Sequence, residues 1–181
     1  MNLKQAQKLF DEYVKTEEIR KHCFEVETIM SALAIELKEN EEKWAIAGLL
    51  HDMDYDIAKN IKEQGKIAVD ILKSDTNCDE DICHAILAHN EKTGTKRESK
   101  FDYALSAADN ISGLIYAYGR VRESLDSMEV SGLRKRFKEK KFAATVRRDL
   151  IQDIEKTGLS LDRFMEISIK AMQSIAKEIG F

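Results

Sequence analysis

The chain contains no proline among its 181 residues and only 8 glycines. At average usage, a chain of this length would hold roughly nine prolines and twelve glycines. These two residues most often interrupt helices and form turns. Their scarcity favours long helices over many short strands, so the sequence predicts an all-α fold.

Apolar residues recur at spacings of three and four along most of the chain, which is typical of helices that bury one face. The clearest stripe, within a helix predicted from about Glu17 to Lys38, contains Ile19, Cys23, Val26, Met30, Leu33 and Leu37. The pattern predicts a single bundle of about eight to ten helices. The other predicted helices cover residues 3–14, 44–50, 65–72, 79–89, 101–118, 133–140, 145–156 and 161–179. Residues 91–100 are predicted to form a polar loop, and residues 119–130 are ambiguous.

Charge and cysteine content restrict the classes of protein to consider. The net charge of −4 is too small to imply a partner by itself. The three cysteines, Cys23, Cys78 and Cys83, form no C-x-x-C motif and no even set, so we expect reduced thiols and a cytoplasmic protein. The N-terminus has no apolar signal core, and no apolar run approaches the roughly 20 residues that cross a bilayer.

The segment AGLLHDMDYD, residues 47–56, carries an apolar helix directly into a histidine and three aspartates: His51, Asp52, Asp54 and Asp56. Either the helix simply ends at the solvent here, or it holds a histidine–aspartate pair in a fixed position. Adjacent residues on a helix splay apart. His51 and Asp52 can therefore reach one ion only where the helix ends, and the acidic cluster predicts such an end. Asp56 lies just beyond the pair, and we expect Asp56→Asn to have almost no effect on the site.

The four histidines, His22, His51, His84 and His89, lie on or at the ends of predicted helices. Each could instead be a hydrogen-bonded core residue. His84 and His89 are about 140° apart around a helix, so they converge only if the helix ends or bends between them. Asp109 lies in an apolar helix and needs a cation, a donor or water, because burial of an unpaired carboxylate is costly. It could alternatively cap a helix or bond to a hydroxyl.

A mixed set of histidine and aspartate is a reasonable site for a divalent ion, because imidazole suits Zn, Cu, Fe and Ni while carboxylate adds affinity for Mn and Mg. A bound cation lowers the pKa of its water and stabilises charge on a phosphoryl oxygen. Hydrolysis then needs no activated serine or cysteine. No G-x-x-x-x-G-K-[ST], G-x-G-x-x-G or G-x-S-x-G motif is present, so nucleotide-fuelled transfer and serine hydrolysis lack support.

The order of His22, then His51 and Asp52, then Asp109 resembles the H…HD…D pattern of the HD-domain superfamily of metal-dependent phosphohydrolases. Five flanking segments resemble its small, single-domain HDIG-type branch: IRKHCFEVETIMSALA, AGLLHDMDYD, AILAHNEKTG, ALSAADNISGLIYA and LRKRFKEKKFAATVRRDLI. The sequence departs from that branch in one place, since HDMD stands where an HDIG signature has Ile-Gly. The resemblance covers nearly the whole chain. It implies one HD domain over residues 1–181, with a metal-site core at about 17–118 and C-terminal helices at about 119–181 that pack on it.

The resemblance also implies a ligand set for one divalent ion (Mn, Fe, Co, Zn or Mg): His22, His51, Asp52 and Asp109. Asp52 and His89 are the expected catalytic residues. His84 and His89 could hold a second ion bridged to the first by Asp52, or they could bind a substrate phosphate. The expected activity is hydrolysis of a small phosphate ester, with a nucleotide as one candidate, by metal-activated water. Two alternatives remain: a non-catalytic regulatory HD domain that binds metal or a phosphorylated ligand, and a di-iron oxygenase, which would need six ligands.

The segment from Arg120 to Arg148 holds ten basic and four acidic residues. It could be a solvated helix face, a rim that attracts a phosphorylated substrate, or a nucleic-acid surface. A nucleic-acid partner is not expected, because no recognised module or set of base-stacking aromatic residues accompanies the run. The expected partner is a small phosphorylated substrate, without a membrane, and the sequence does not indicate an oligomeric state.

Overall fold

A computed structural model describes residues 1–181 as nine α-helices, two short 3-10 helices and no β-strand, which confirms the predicted all-α class. The 3-10 helices are Glu91–Thr93 and Asp153–Thr157. The α-helices are α1 (Leu3–Tyr13), α2 (Glu17–Leu37), α3 (Glu41–Leu50), α4 (Lys66–Asp75), α5 (Glu80–His89), α6 (Lys100–Arg122), α7 (Val130–Lys138), α8 (Arg148–Gln152) and α9 (Leu161–Ser174).

Helix α3 lies at the centre of the bundle and is apolar on every face. Every residue from Trp44 to Leu50 is buried, and α3 packs against α1, α2, α5 and α6. Its contact with α2 is closest at Gly48. A Cβ atom there would lie 2.7 Å from Cα of Glu27 and 2.8 Å from the carbonyl oxygen of Val26. The two backbones can approach this closely only because Gly48 has no side chain.

Helix α6 is the other long element of the core, and it contacts α2, α5, α7, α8 and α9. Its start is well defined, because Ser99 and Asp102 form a capping box that satisfies backbone N–H groups at the helix N-terminus. The helix continues to Arg122, so the first part of the ambiguous segment 119–130 is helical.

The predicted helix over residues 145–156 is wrong at both ends. Residues before Arg148 form turns, α8 ends at Gln152, and a 3-10 helix follows. The side chain of Arg148 explains the irregular backbone, because its Nη1 donates to the carbonyl oxygens of Ala143 at 2.6 Å and Val146 at 2.8 Å. These carbonyl groups are satisfied without a helix. The helix predicted over residues 161–179 is also shorter, because α9 ends at Ser174.

None of the nine helices combines the length and the apolar character that a membrane span requires.

The Gly48→Ala substitution should destabilise the fold, because the new Cβ would overlap the backbone of α2 rather than a movable side chain. We expect the free energy of unfolding, measured in urea, to fall by about 1–3 kcal/mol. Gly113→Ala is the matched control on α6, since its Cβ would meet only a side-chain atom of Val146 at 3.5 Å. Equal stabilities of the two variants would contradict the close contact between α2 and α3.

Glu27, beside the same contact, should make stability depend on pH. Its carboxyl group makes no ion pair, and burial raises its pKa from 4.5 to about 7. As the pH rises from about 4.5 to 7, the unfolded chain releases this proton before the folded protein does. The free energy of unfolding should therefore fall over that range. Glu27→Gln should show a smaller fall in urea titrations at each pH, and parallel curves for the two proteins would refute the assignment.

Candidate metal centre

His51 is held at the point where α3 ends. The helix finishes at Leu50, and His51 is its C-terminal cap. Nδ1 of His51 lies 2.8 Å from the carbonyl oxygen of Gly48. Because a carbonyl oxygen only accepts, Nδ1 carries the proton and Nε2 presents its lone pair on the other side of the ring. A hydrogen bond of this kind orients a histidine as a metal ligand.

His22 from α2 and Asp109 from α6 meet His51 at this lone pair. Nε2 of His22 lies 3.1 Å from Nε2 of His51 and 3.1 Å from Oδ1 of Asp109. Oδ1 of Asp109 is 3.9 Å from Nε2 of His51. Oδ2 of Asp52 lies 3.7 Å from Nε2 of His51 and 4.0 Å from Nε2 of His22. The structure therefore brings together the four residues of the predicted ligand set.

The separations among His22, His51 and Asp52 fit one ion, and Asp109 lies beside this group, 3.1 Å from His22. Donor atoms that lie about 2.1 Å from a common zinc-like ion are separated by roughly 3.0 Å at right angles and about 3.4 Å in a tetrahedron. The group of His22, His51 and Asp52 could hold a metal ion, with its donor atoms all within 4.8 Å of one another. Two imidazole nitrogens with carboxylate oxygens suit a divalent transition metal, and they do not specify which one.

Two residues behind His22 were not found by sequence reasoning. Oγ of Ser112 lies 3.3 Å from Nδ1 of His22 and donates to the carbonyl oxygen of Asp109 at 2.8 Å. Oε2 of the buried Glu25 lies 3.9 Å from the same Nδ1. Ser112 thus links two residues of the cluster. The only signal for Glu25 was a charged residue one helical turn after His22, beside the apolar stripe of α2.

The charges of the cluster are strongly coupled. Burial lowers the pKa of His22, but the carboxylates of Asp109 and Glu25 outweigh it and raise the pKa to about 10. Burial lowers the pKa of His51 to about 4. Burial acts to raise the pKa of Asp52, yet the histidines His51 and His89 hold it below its usual value. Because an imidazole ligand must be unprotonated, a bound cation would replace the proton of His22.

His89, the last residue of α5, approaches from the opposite side of Asp52. Its Nδ1 lies 2.5 Å from the carbonyl oxygen of Ile86, and its Nε2 lies 3.4 Å from Oδ1 of Asp52. Burial acts to lower the pKa of His89, but Asp52 raises it above the usual value. Asp52 therefore favours the protonated form of His89.

The structure does not bring His84 into this cluster. Nδ1 of His84 lies 3.1 Å from Oδ1 of the buried Asp102, and the side chain is 40% exposed. Helix α5 is unbroken between His84 and His89, so the two side chains point in different directions. The pair that was predicted for a second ion or a substrate phosphate is therefore not assembled.

Asp54, the second aspartate of the segment at residues 47–56, caps another helix. Its Oδ2 accepts the backbone N–H groups of Gly65 at 2.8 Å and Ala68 at 2.9 Å. Both groups belong to the first turn of α4, whose N-cap, Gly65, provides no side chain of its own. Asp54 is fully buried, so the carboxylate replaces the water that would otherwise satisfy these donors.

Asp56, the third aspartate, contacts the segment that precedes α2. Its Oδ2 accepts the backbone N–H groups of Lys15 at 2.7 Å and Thr16 at 2.9 Å, and its Oδ1 accepts the hydroxyl of Thr16 at 2.6 Å. Thr16 is the N-cap of α2, the helix that carries His22. Asp56 therefore ties the end of the histidine–aspartate segment to the start of α2.

The family model of the HD domain matches residues 19–114, which is more than half of the chain. The chain therefore belongs to the HD-domain family, whose superfamily consists of metal-dependent phosphohydrolases. The matched range contains His22, His51, Asp52, His89 and Asp109.

The chain also resembles two curated proteins named ribonuclease Y. It is 33% identical over 98 residues to the protein from Lawsonia intracellularis (strain PHE/MN1-00), which covers 54% of this chain and 19% of the relative. It is 31% identical over 99 residues to the protein from Oleidesulfovibrio alaskensis (strain ATCC BAA-1058 / DSM 17464 / G20), and this alignment covers 54% of this chain and 18% of the relative. The alignments thus span about a fifth of each relative. No solved structure gives a significant match.

The two outer aspartates of the HDMDYD stretch, residues 51–56, should separate stability from metal binding. Asp56→Ala removes three hydrogen bonds at the start of α2, so we expect the free energy of unfolding in urea to fall by about 1–2 kcal/mol. The folded variant should retain native metal content by elemental analysis. Asp52→Asn should instead retain much less metal, because the cluster loses an anionic donor.

Asp70→Asn is the control for both variants, because Asp70 is exposed on α4 and makes no ion pair. Native metal content in Asp52→Asn, or complete metal loss in folded Asp56→Ala, would contradict this division of roles.

Proposed function

We propose that this protein is a metal-dependent phosphohydrolase that acts on a small phosphate ester. One observation carries the proposal: the donor cluster is open on one side. The side chains of His22, Asp52 and Asp109 are 23%, 19% and 26% exposed, whereas His51 is fully buried. Structural metal sites are closed, while catalytic sites keep a position for water or substrate. An open cluster in an HD-domain chain therefore favours catalysis over a structural role.

The residues of this chain have separate roles in such a reaction. His22, His51, Asp52 and Asp109 would hold the divalent ion, which would supply an acidified water and stabilise charge on a phosphoryl oxygen. His89 lies next to Asp52, which favours its protonated form, and in that form it would donate a proton to a phosphate oxygen or to the leaving group. We identify Asp52 and His89 as the catalytic residues on this basis.

The geometry gives less support to one of the two alternatives, the di-iron oxygenase. A di-iron oxygenase would need six ligands, and His84 is engaged with Asp102 rather than with the cluster. A regulatory HD domain that binds a phosphorylated ligand without turnover would use the same open site, and only activity separates it from an enzyme. The relatives are named ribonucleases, so RNA is included among the test substrates.

The test is a panel of phosphomonoesters, phosphodiesters and a short RNA, each assayed with Mn²⁺, Fe²⁺, Co²⁺, Mg²⁺ or Zn²⁺. We expect turnover of a small ester with at least one of these ions. Asp52→Asn should lower that turnover at least about a hundredfold, or 2.7 kcal/mol in the barrier, while Asp70→Asn should match the native protein. Binding of an ester without turnover would indicate the regulatory alternative. Equal activity of Asp52→Asn and native protein would rule out the assigned site.

A further inference from the structure

A cavity lies within the basic run noted in the sequence. Its volume is about 420 Å³, in the range of small-molecule sites. Residues 138–148, which we call the basic segment, form most of its wall. The lining combines apolar side chains such as Phe137 and Val146 with Lys138, Lys140 and Arg147. A cavity with an apolar wall and several cations fits an organic anion.

Two cations of this cavity have no protein partner. Arg147 is neutralised by Asp149 at 2.5 Å and Glu91 at 2.9 Å. Lys138 and Lys140 form no ion pair. The basic partner in each ion pair of this part of the chain is an arginine. Their two ammonium groups are therefore available to a ligand, as compact charges with several donors each.

The basic segment is held in place before any ligand arrives. The guanidinium of Arg148 donates to the carbonyl oxygens of Phe142, Ala143 and Val146, and so closes the segment on itself. The ring of Phe142 packs edge-on against Tyr118 of α6, with centroids 6.4 Å apart. A segment fixed in this way loses little conformational entropy on binding.

The same segment adjoins the metal centre through α6. The backbone N–H of Arg147 donates to Oδ1 of Asn110 at 3.1 Å, and Asn110 directly follows Asp109. Val146 also lies near Gly113, one helical turn after Asp109, because a Cβ added at Gly113 would be 3.5 Å from the Val146 side chain. Gly113 also lines a smaller cavity, of about 220 Å³, that contains His22. The end of the basic segment at Val146 and Arg147 therefore lies against the turn of α6 that follows Asp109.

We propose that the basic segment binds a second phosphate group of the substrate, and that the substrate is a phosphate ester with at least two phosphates. One phosphate would lie at the metal centre, and the other would be held by Lys138 and Lys140. This inference rests on the proposed phosphohydrolase function and adds its substrate class. A focused positive potential also concentrates such polyanions near the cleft.

The test compares adenosine 5′-monophosphate with adenosine 3′,5′-bisphosphate on the metal-loaded protein. The KM is measured for a probe that is hydrolysed, and the Kd by calorimetry for one that is only bound. We expect the KM or Kd of the bisphosphate to be about tenfold lower than that of the monophosphate, which corresponds to 1.4 kcal/mol. The double variant Lys138→Gln/Lys140→Gln should raise the KM or Kd of the bisphosphate about tenfold, and that of the monophosphate less than about twofold.

The matched control is Lys4→Gln/Lys8→Gln, which makes the same charge change on α1 at two exposed lysines without ion pairs. It should change neither value by more than about twofold, and circular dichroism should show that both variants are folded. Equal effects of the two double variants, or no preference of the native protein for the bisphosphate, would overturn the proposal. So would loss of RNA binding in Lys138→Gln/Lys140→Gln with unchanged bisphosphate binding.

The two proposals can fail separately. Hydrolysis of both nucleotides with no dependence on Lys138 and Lys140 would leave the phosphohydrolase and remove the second phosphate site. A preference for the bisphosphate that depends on these lysines, without hydrolysis of any ester, would leave the second site and remove the catalytic function.

Discussion

The contact of α2 with α3 at Gly48 is the constraint on which the metal centre depends. The absence of a side chain lets the two backbones touch, and this sets the position of His22 on α2 relative to His51 on α3. The carbonyl oxygen of the same glycine holds Nδ1 of His51. One residue therefore determines both the helix spacing and the direction of a ligand lone pair.

The acidic stretch after α3 connects this contact to the rest of the bundle. Asp52 enters the donor cluster, Asp54 caps α4, and Asp56 binds the residues that precede α2. The three carboxylates alternate along an irregular segment, so they point to different neighbours. Two of them therefore hold helix starts next to the cluster, so the geometry of the site depends on the conformation of this segment.

Charge is balanced locally at the centre. Asp52 and Asp109 lie within an apolar bundle, where an unpaired carboxylate would be costly, and histidines supply the opposing charge. A divalent ion would replace the proton on His22 without leaving a buried anion unpaired. Outside the cluster, Lys138 and Lys140 of the basic segment form no ion pair, so the protein itself does not neutralise them.

The sequence by itself determined the helical class, most helix positions and the ordered residues His22, His51, Asp52 and Asp109, because periodicity and residue type are local properties. It did not reveal the turns before α8, where one arginine side chain satisfies several carbonyl groups. It also could not exclude His84 or assign a role to Asp56. Their partners, Asp102 and Thr16, are 18 and 40 residues away along the chain. Only the tertiary structure decided these roles, because contacts between distant residues depend on how the helices pack.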